Sequence, residues 1–287
     1  MRTVRTIAEL REALTPARRG GELVGLVATM GALHDGHRSL LAAARAECGV
    51  VVMSLFVNPT QFTSEQDLAA YPRDEAADAQ RAQASGVDFL FAPAAGEMYP
   101  DGFATSVVVR GITERLEGIH RGAQHFDGVA TVVTKLLNIV APDVAYFGQK
   151  DAQQALVIKR LVADLDIATR IVVCPTVREP DGLARSSRNA QLSRADRARA
   201  VGLSRALHTA VTLISGGERD SDAAAAAARA ELARHDIDSE YFAIVDPDTL
   251  VPVARIDGPV LLAVAATVGS ARLIDNVLAT PTPDESR

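Results

Sequence analysis

The sequence predicts an α/β protein: a parallel sheet with helices on both faces, followed by a smaller α+β unit. Three observations predict it. Short apolar runs alternate with helix-patterned segments through the first half of the chain, the pattern of strand–helix–strand units. Several of these runs end at Gly or Pro, as at Gly31, Pro59 and Gly148, where a turn must intervene. After Pro175 the order changes to two long helix patterns and then strand-like runs.

Taken in order, residues 22–29 read as a buried strand, 37–47 as a helix and 50–57 as a second strand. Residues 69–85 read as helical and 87–91 as a strand. The clearest amphipathic helix is 127–140, where Val129, Val132, Val133, Leu136, Leu137 and Val140 recur at i, i+3, i+4, i+7 spacing. A strand at 144–147, a helix at 152–163 and a strand at 170–174 follow, punctuated by Pro142 and Pro175. Beyond them, 194–214 is a long helix with Ser193 as its N-cap and Gly216 and Gly217 as its stop. An Ala-rich helix at 220–234 precedes strands at 241–245 and 260–266. A boundary near Thr176 therefore divides residues 1–176 from 177–287. The tail after Thr280 is rich in Pro and charge, and is expected to be disordered.

Composition narrows the function classes. The 287 residues are 48% hydrophobic and carry a formal charge of −6. That balance argues against nucleic acid or an anionic membrane as the main partner. It leaves room for a local basic pocket around a phosphorylated ligand. The longest strongly apolar run, 260–268, is too short to span a bilayer. Arg2, Arg5, Glu9, Arg11 and Glu12 interrupt any signal-peptide core, so the expected location is cytoplasmic. Cys48 and Cys174 lie in or beside apolar, strand-like sequence without a CxxC pair. They read as buried, reduced thiols.

Four segments could carry chemistry. The first, TMGALHDGH at 29–37, follows a strand and opens a helix, with Gly31 and Gly36 permitting tight backbone geometry. His34 and His37 are three residues apart, so at a helix start they point to one side. The helix N-terminus is a natural anion site, and two imidazoles there could donate to phosphate oxygens. The spacing also suits two histidines capping a helix, or a zinc pair lacking an obvious third ligand. The second segment, SLFVNPTQF at 54–62, brings Asn58 and Gln61 to the carboxyl end of a strand, the edge where open α/β sheets bind ligands. Uncharged amides there suit a polar, hydroxyl-bearing substrate, although an Asn-Pro pair also serves simply as a turn.

The third segment, YFGQKDAQQ at 146–154, again runs from strand through Gly into helix. Lys150 could reach a triphosphate, Asp151 could cap the helix or bind ribose hydroxyls, and Gln154 lies on Asp151's side. The fourth, LARSSRN at 183–189, gathers Arg185, Ser186, Ser187 and Arg188. Guanidinium groups, hydroxyls and loop backbone are what a phosphate needs; a solvated charged loop is the plainer reading. No Walker P-loop occurs, and no GxGxxG follows the first strand.

In this order and spacing the four motifs resemble one family. HDGH resembles the HxGH signature of the class I synthetase and nucleotidylyltransferase superfamily, and RSSRN resembles its KMSKS-type phosphate loop. FVNPTQF, YPR at 71–73, FGQKD and SSRN together resemble the pantothenate synthetase family, over residues 27–189, with echoes in IVDPDTL at 244–250 and RLIDN at 272–276. Three departures stand out: Ala28 where the family usually has Pro, Arg185 where it usually has Met or Leu, and one extra residue within 121–126.

The resemblance implies a Rossmann-like N-terminal domain, a C-terminal lid domain, a homodimer, and Mg2+ with ATP as substrate. It implies that pantoate is adenylated by ATP and that β-alanine then displaces AMP to give pantothenate. Met30, Gly31, Ala32, Leu33, His34, Asp35, Gly36 and His37 would line the ATP site, with His34 and His37 on the phosphates and His37 as proton donor. Gly148, Gln149, Lys150 and Asp151 would bind ATP, with Lys150 on the phosphates. Val177 would contact adenine, and Arg185, Ser186, Ser187 and Arg188 would close over the phosphates. Gln61 and Gln154 would hold pantoate, with Gln61 also bordering β-alanine and Asn58 grouped with them. Asp78 stands where the family keeps an acidic residue, a candidate metal ligand or simply a solvated acid. Two alternatives stay open at this level: a nucleotidylyltransferase of the same superfamily, and an inactive nucleotide-binding paralogue.

Overall fold

The computed structural model describes residues 1–62 and 64–282; most of the tail expected to be disordered, from residue 283 on, lies outside the described residues. The chain divides into two compact units, Met1–Pro175 and Thr176–Arg287.

The first unit holds strands β1 (Arg2–Val4), β2 (Val24–Thr29), β3 (Val50–Leu55), β4 (Phe89–Phe91), β5 (Val144–Gly148) and β6 (Arg170–Cys174). They form one sheet in the order β1-β4-β3-β2-β5-β6, with every pairing parallel. Its helices are α1 (Ile7–Arg19), α2 (Asp35–Glu47), α3 (Glu65–Ala70), α4 (Glu75–Ala84), α5 (Ala95–Met98), α6 (Glu117–Arg121), α7 (Ala123–Val140) and α8 (Ala152–Asp164).

Because side chains alternate across a strand, the central strands β2, β3 and β5 each feed two cores. Leu26, Val52 and Phe147 pack with Leu10 and Leu14 of α1, Leu137 of α7 and Ile158 of α8. Their neighbours Val27, Met53 and Tyr146 pack on the other face with Leu40 and Leu41 of α2 and Ala82 of α4. These central strands are thus buried on both sides, which is why they read as continuous apolar runs. This is a Rossmann-like sheet. From β2 the chain order runs outward through β3 and β4, while β5 and β6 lie on β2's other side. The loops after β2 and β5 therefore diverge and leave a crevice at the carboxyl ends of those strands.

The second unit holds α9 (Arg194–Ser215), α10 (Ser221–Arg234) and the antiparallel strands β7 (Ser239–Val245), β8 (Val260–Val268) and β9 (Ala271–Ala279), in that sheet order. Leu203, Leu207 and Ile214 of α9 and Leu232 of α10 share a core with Phe242, Leu262 and Val264. Ser193 and Asp220 cap the two helices with their side chains. Among the described residues no helix is long and apolar enough to cross a membrane.

Several elements differ from the sequence reading. The helix expected over 69–85 is two helices, α3 and α4, interrupted by Tyr71, Pro72 and Arg73. Proline disfavours helical geometry in the residue before it, and Asp74 restarts the chain as the N-cap of α4. β1 and α1 were not anticipated, although Thr6 and Glu9 form a reciprocal capping box at the start of α1 that the sequence displays. Helix α2 starts at Asp35, two residues early, because His34 itself is the cap.

Candidate active site

The crevice is built from backbone outward. After β2 the chain passes through Gly31 at φ 95° and Ala32 at φ 51° before entering α2. A Cβ on Gly31 would lie 2.9 Å from Asp78 Oδ2, so this glycine meets both a left-handed backbone and a close approach. Asp78, on α4, is 1% exposed. Its Oδ2 accepts from the Ala32 amide and its Oδ1 from the Leu33 amide, each at 2.8 Å, with Arg81 3.5 Å away. Asp78 is therefore no solvated acid, and both its oxygens already serve the loop that carries His34 and His37.

The two histidines form a reciprocal cap. The Gly36 amide donates to His34 Nδ1 at 3.1 Å, and the His34 amide donates to His37 Nδ1 at 3.2 Å. A backbone N–H can only donate, so both Nδ1 atoms are unprotonated and each ring carries its proton on Nε2. The ring centroids are 4.2 Å apart. Burial, and then the neighbouring His34, push the His37 pKa down to about 3, partly offset by Asp151. His37 is thus a neutral hydrogen-bond donor at ordinary pH. Of the readings of HxxH, the capping one is seen directly: each Nδ1 takes a backbone amide at the start of α2.

The loop after β5 supplies the opposite wall. Gly148, Gln149 and Lys150 are half-buried and Asp151 is exposed. Lys150 Nζ lies 3.9 Å from Asp151 Oδ1. Asp151's negative charge partly offsets the lowering of the pKa at both His37 and His125. Gln154 is half-buried on α8. Its neighbour Gln153 is buried and saturated, accepting from the Glu117 amide and donating to the carbonyls of Ile112 and Arg115.

The turn after β3 is a hydrogen-bonded hub. Asn58 is 1% exposed. Its Nδ2 donates to the Gly128 carbonyl at 3.1 Å and to Gln61 Oε1 at 3.2 Å. Its Oδ1 accepts from Tyr99 Oη at 2.8 Å and from the hydroxyl and amide of Thr60 at 3.0 and 3.4 Å. Asn58 therefore has no donor left for a ligand; it orients Gln61 instead. The Gly128 carbonyl can only accept, so Nδ2 is the atom facing it, and Gln61 must turn Oε1 inward. Gln61 Nε2 is left pointing to Met30 Sδ at 2.9 Å, a weak acceptor. His125 Nδ1 meets the Gln61 carbonyl at 2.8 Å and so carries the proton. Burial, followed by Arg121, lowers the His125 pKa, leaving Nε2 as an acceptor. This contact lies within the stretch 121–126.

The sequence reading missed Tyr99, Gly128 and His125 as parts of this hub. Gly128, inside an otherwise apolar helix pattern, was the available signal: a Cβ there would lie 2.5 Å from the Thr60 carbonyl oxygen.

In the second unit, Val177 and Arg185 pair through the Arg185 amide and Val177 carbonyl at 2.9 Å. Arg178 closes this hairpin onto β9 through a two-pronged pair with buried Asp275 at 2.6 and 3.0 Å. Arg185 lies 3.1 Å from Glu179. Ser186 caps the short turn Ser187–Gln191 by accepting from the Arg188 amide at 3.3 Å. Ser186, Ser187 and Arg188 are all half-buried.

Comparison with known proteins bears on this arrangement. A family model described as pantoate-beta-alanine ligase matches residues 2–278. A pantothenate synthetase from Moorella thermoacetica is 53% identical over 279 residues, covering 97% of this chain and 98% of that protein. The crystal structure of pantothenate synthetase from Thermus thermophilus superposes with a TM-score of 0.91 at 47% identity, covering 96% of this chain and 99% of that one. That of pantoate-beta-alanine ligase from Francisella tularensis, complexed with beta-gamma ATP and beta-alanine, gives 0.80 at 35% identity, with 97% of each chain covered. Sequence and fold agree along nearly the whole length, and the chain belongs to the pantoate-beta-alanine ligase family.

Proposed function

We propose that this protein joins pantoate to β-alanine at the expense of ATP, through a pantoyl adenylate, releasing pyrophosphate and AMP. The observation that carries the route is the tautomer of the histidine pair. Two Nε2–H donors, one on a ring that stays neutral down to about pH 3, are fixed by the loop that opens the crevice. Adenylation chiefly needs a carboxylate held in line with the α-phosphorus and charge stabilised on the departing pyrophosphate. It needs no nucleophile from the protein.

In this reading residues 30–37 and 148–151 hold ATP, with His34, His37 and Lys150 on the phosphates and His37 supplying the proton-bearing donor. Val177 meets adenine, and Arg185, Ser186, Ser187 and Arg188 form a lid-borne phosphate loop. Gln61 and Gln154 take pantoate, whose hydroxyl and carboxylate groups suit uncharged amides. Gln61 also borders β-alanine, and the acceptor Nε2 of His125 beside it suits the incoming ammonium group. Asn58 acts through Gln61 rather than on the substrate. Among the described residues no group of three or more His, Cys, Asp or Glu could hold a metal. Mg2+ is accordingly taken to arrive bound to the ATP phosphates, where it would neutralise charge. Family resemblance further supports a homodimer acting in the cytoplasm.

The test is pyrophosphate release from Mg-ATP and pantoate, with β-alanine added midway. Slow or single-turnover release that accelerates on addition, with AMP and pantothenate formed, is the expected result. Release that is indifferent to β-alanine would overturn the second step, and no release at all would overturn the reaction.

A further inference from the structure

The loop carrying the histidine pair contains two successive backbone amides, Ala32 and Leu33, in a left-handed turn. Such turns make concave anion sites. Here the site is filled from within the protein: Asp78 reaches across from α4 and takes both amides at 2.8 Å. It does so while 1% exposed, and a buried carboxylate is tolerated only when its oxygens are hydrogen-bonded. The turn itself is unfavourable for Ala32, whose φ is 51°, since a Cβ crowds the backbone there. Gly31 makes the approach possible, because any side chain would meet Asp78 Oδ2. The next residue, His34, both caps α2 and passes its own amide to His37 Nδ1. The carboxylate, the strained turn and the two imidazoles are therefore one continuous chain of contacts.

We propose that Asp78 is a positioning residue for the adenylation step: it withholds the Ala32 and Leu33 amides from the nucleotide and locks the loop so that both imidazoles face the phosphates. This rests on the ligase reading above. Its place in sequence supports the idea. The break at Pro72 and the cap at Asp74 set the start of α4, and Ala82 anchors that helix in the core. The helix thus presents Asp78 at a fixed height beneath the loop.

The experiment uses the full chain with Asp78→Asn, which keeps one acceptor but sets an NH2 against the second amide. Hydrogen exchange at Ala32 and Leu33 is read by NMR without ligands, and adenylation by pyrophosphate release. The two amides should exchange at least about tenfold faster than in the wild type. The adenylation rate should fall by about 100-fold, with the pantoate dissociation constant little changed and no recovery at raised Mg2+. Unchanged exchange, wild-type adenylation, or recovery by Mg2+ would overturn the proposal, the last by making Asp78 a metal ligand. Should Asp78→Asn fail to fold, Gly31→Ala displaces the same carboxylate from the loop side and is held to the same outcomes. If the wild type releases no pyrophosphate, the ligase reading fails, and the exchange of the two amides still decides the clamp.

Discussion

At the scale of single residues, proton placement decides what the site can do. His37 and His125 are both held neutral by burial, yet their backbone partners fix opposite tautomers. His37 receives an N–H at Nδ1 and so donates from Nε2; His125 faces a carbonyl with Nδ1 and so accepts at Nε2. The depressed His37 pKa also links to stability. An unfolded histidine takes up a proton below about pH 6.5, whereas the folded ring resists until about 3. Between those values the unfolded chain binds more protons, so this contribution is fully present above about pH 6.5 and is lost as pH falls towards 3. The expected outcome for His37→Ala is twofold. Adenylation falls by about 100-fold or more through loss of a donor at the phosphates. In urea unfolding, the stability difference between wild type and variant shifts in the variant's favour from pH 7 to pH 5. A difference that is the same at both pH values would show that the ring is not held neutral.

At the scale of elements, the sequence was most legible where one face is apolar and local. The amphipathic pattern of 127–140 falls inside α7, and the loops after β2 and β5 were placed correctly at strand ends because Gly31 and Gly148 announce them. What was not legible lies in contacts between distant segments. Asp78 looks solvated on an Ala-rich helix; only the fold brings it to Ala32 and Leu33, 46 and 45 residues away. Asn58 looks like a ligand contact until Tyr99 and Gly128 are seen to consume its amide. The charged N-terminal strand β1 is hidden for a related reason, as it pairs with β4 at the sheet edge without a long apolar run.

Gly128 tests the element scale directly. Its missing side chain lets α7 lie against the backbone of the turn at Thr60. Gly128→Ala should cost about 1–3 kcal/mol by overpacking and push Asn58 and Gln61 out of register together. Initial rates should then show a pantoate KM raised far more than that for ATP. An equal rise in both would mean that the turn does not serve pantoate selectively.

At the scale of the whole molecule, the chain holds two self-sufficient cores. The first unit buries both faces of a six-stranded sheet. The second packs two helices on a three-stranded sheet and fixes the hairpin before residues 185–188 through the Arg178–Asp275 pair. The division of chemistry need not follow the division of stability. All the amides and imidazoles assigned to pantoate and to the nucleotide loops after β2 and β5 lie before Pro175, whereas Arg185, Ser186, Ser187 and Arg188 lie after it. A fragment comprising Met1–Pro175 should therefore unfold cooperatively and retain pantoate binding by calorimetry, because its core and its amide hub are complete. It should show no pantoate-dependent pyrophosphate release, because half of the phosphate-binding vocabulary is gone. Release at the full-chain rate by that fragment would remove the residues 185–188 from the reaction and confine the adenylation machinery to the crevice between β2 and β5.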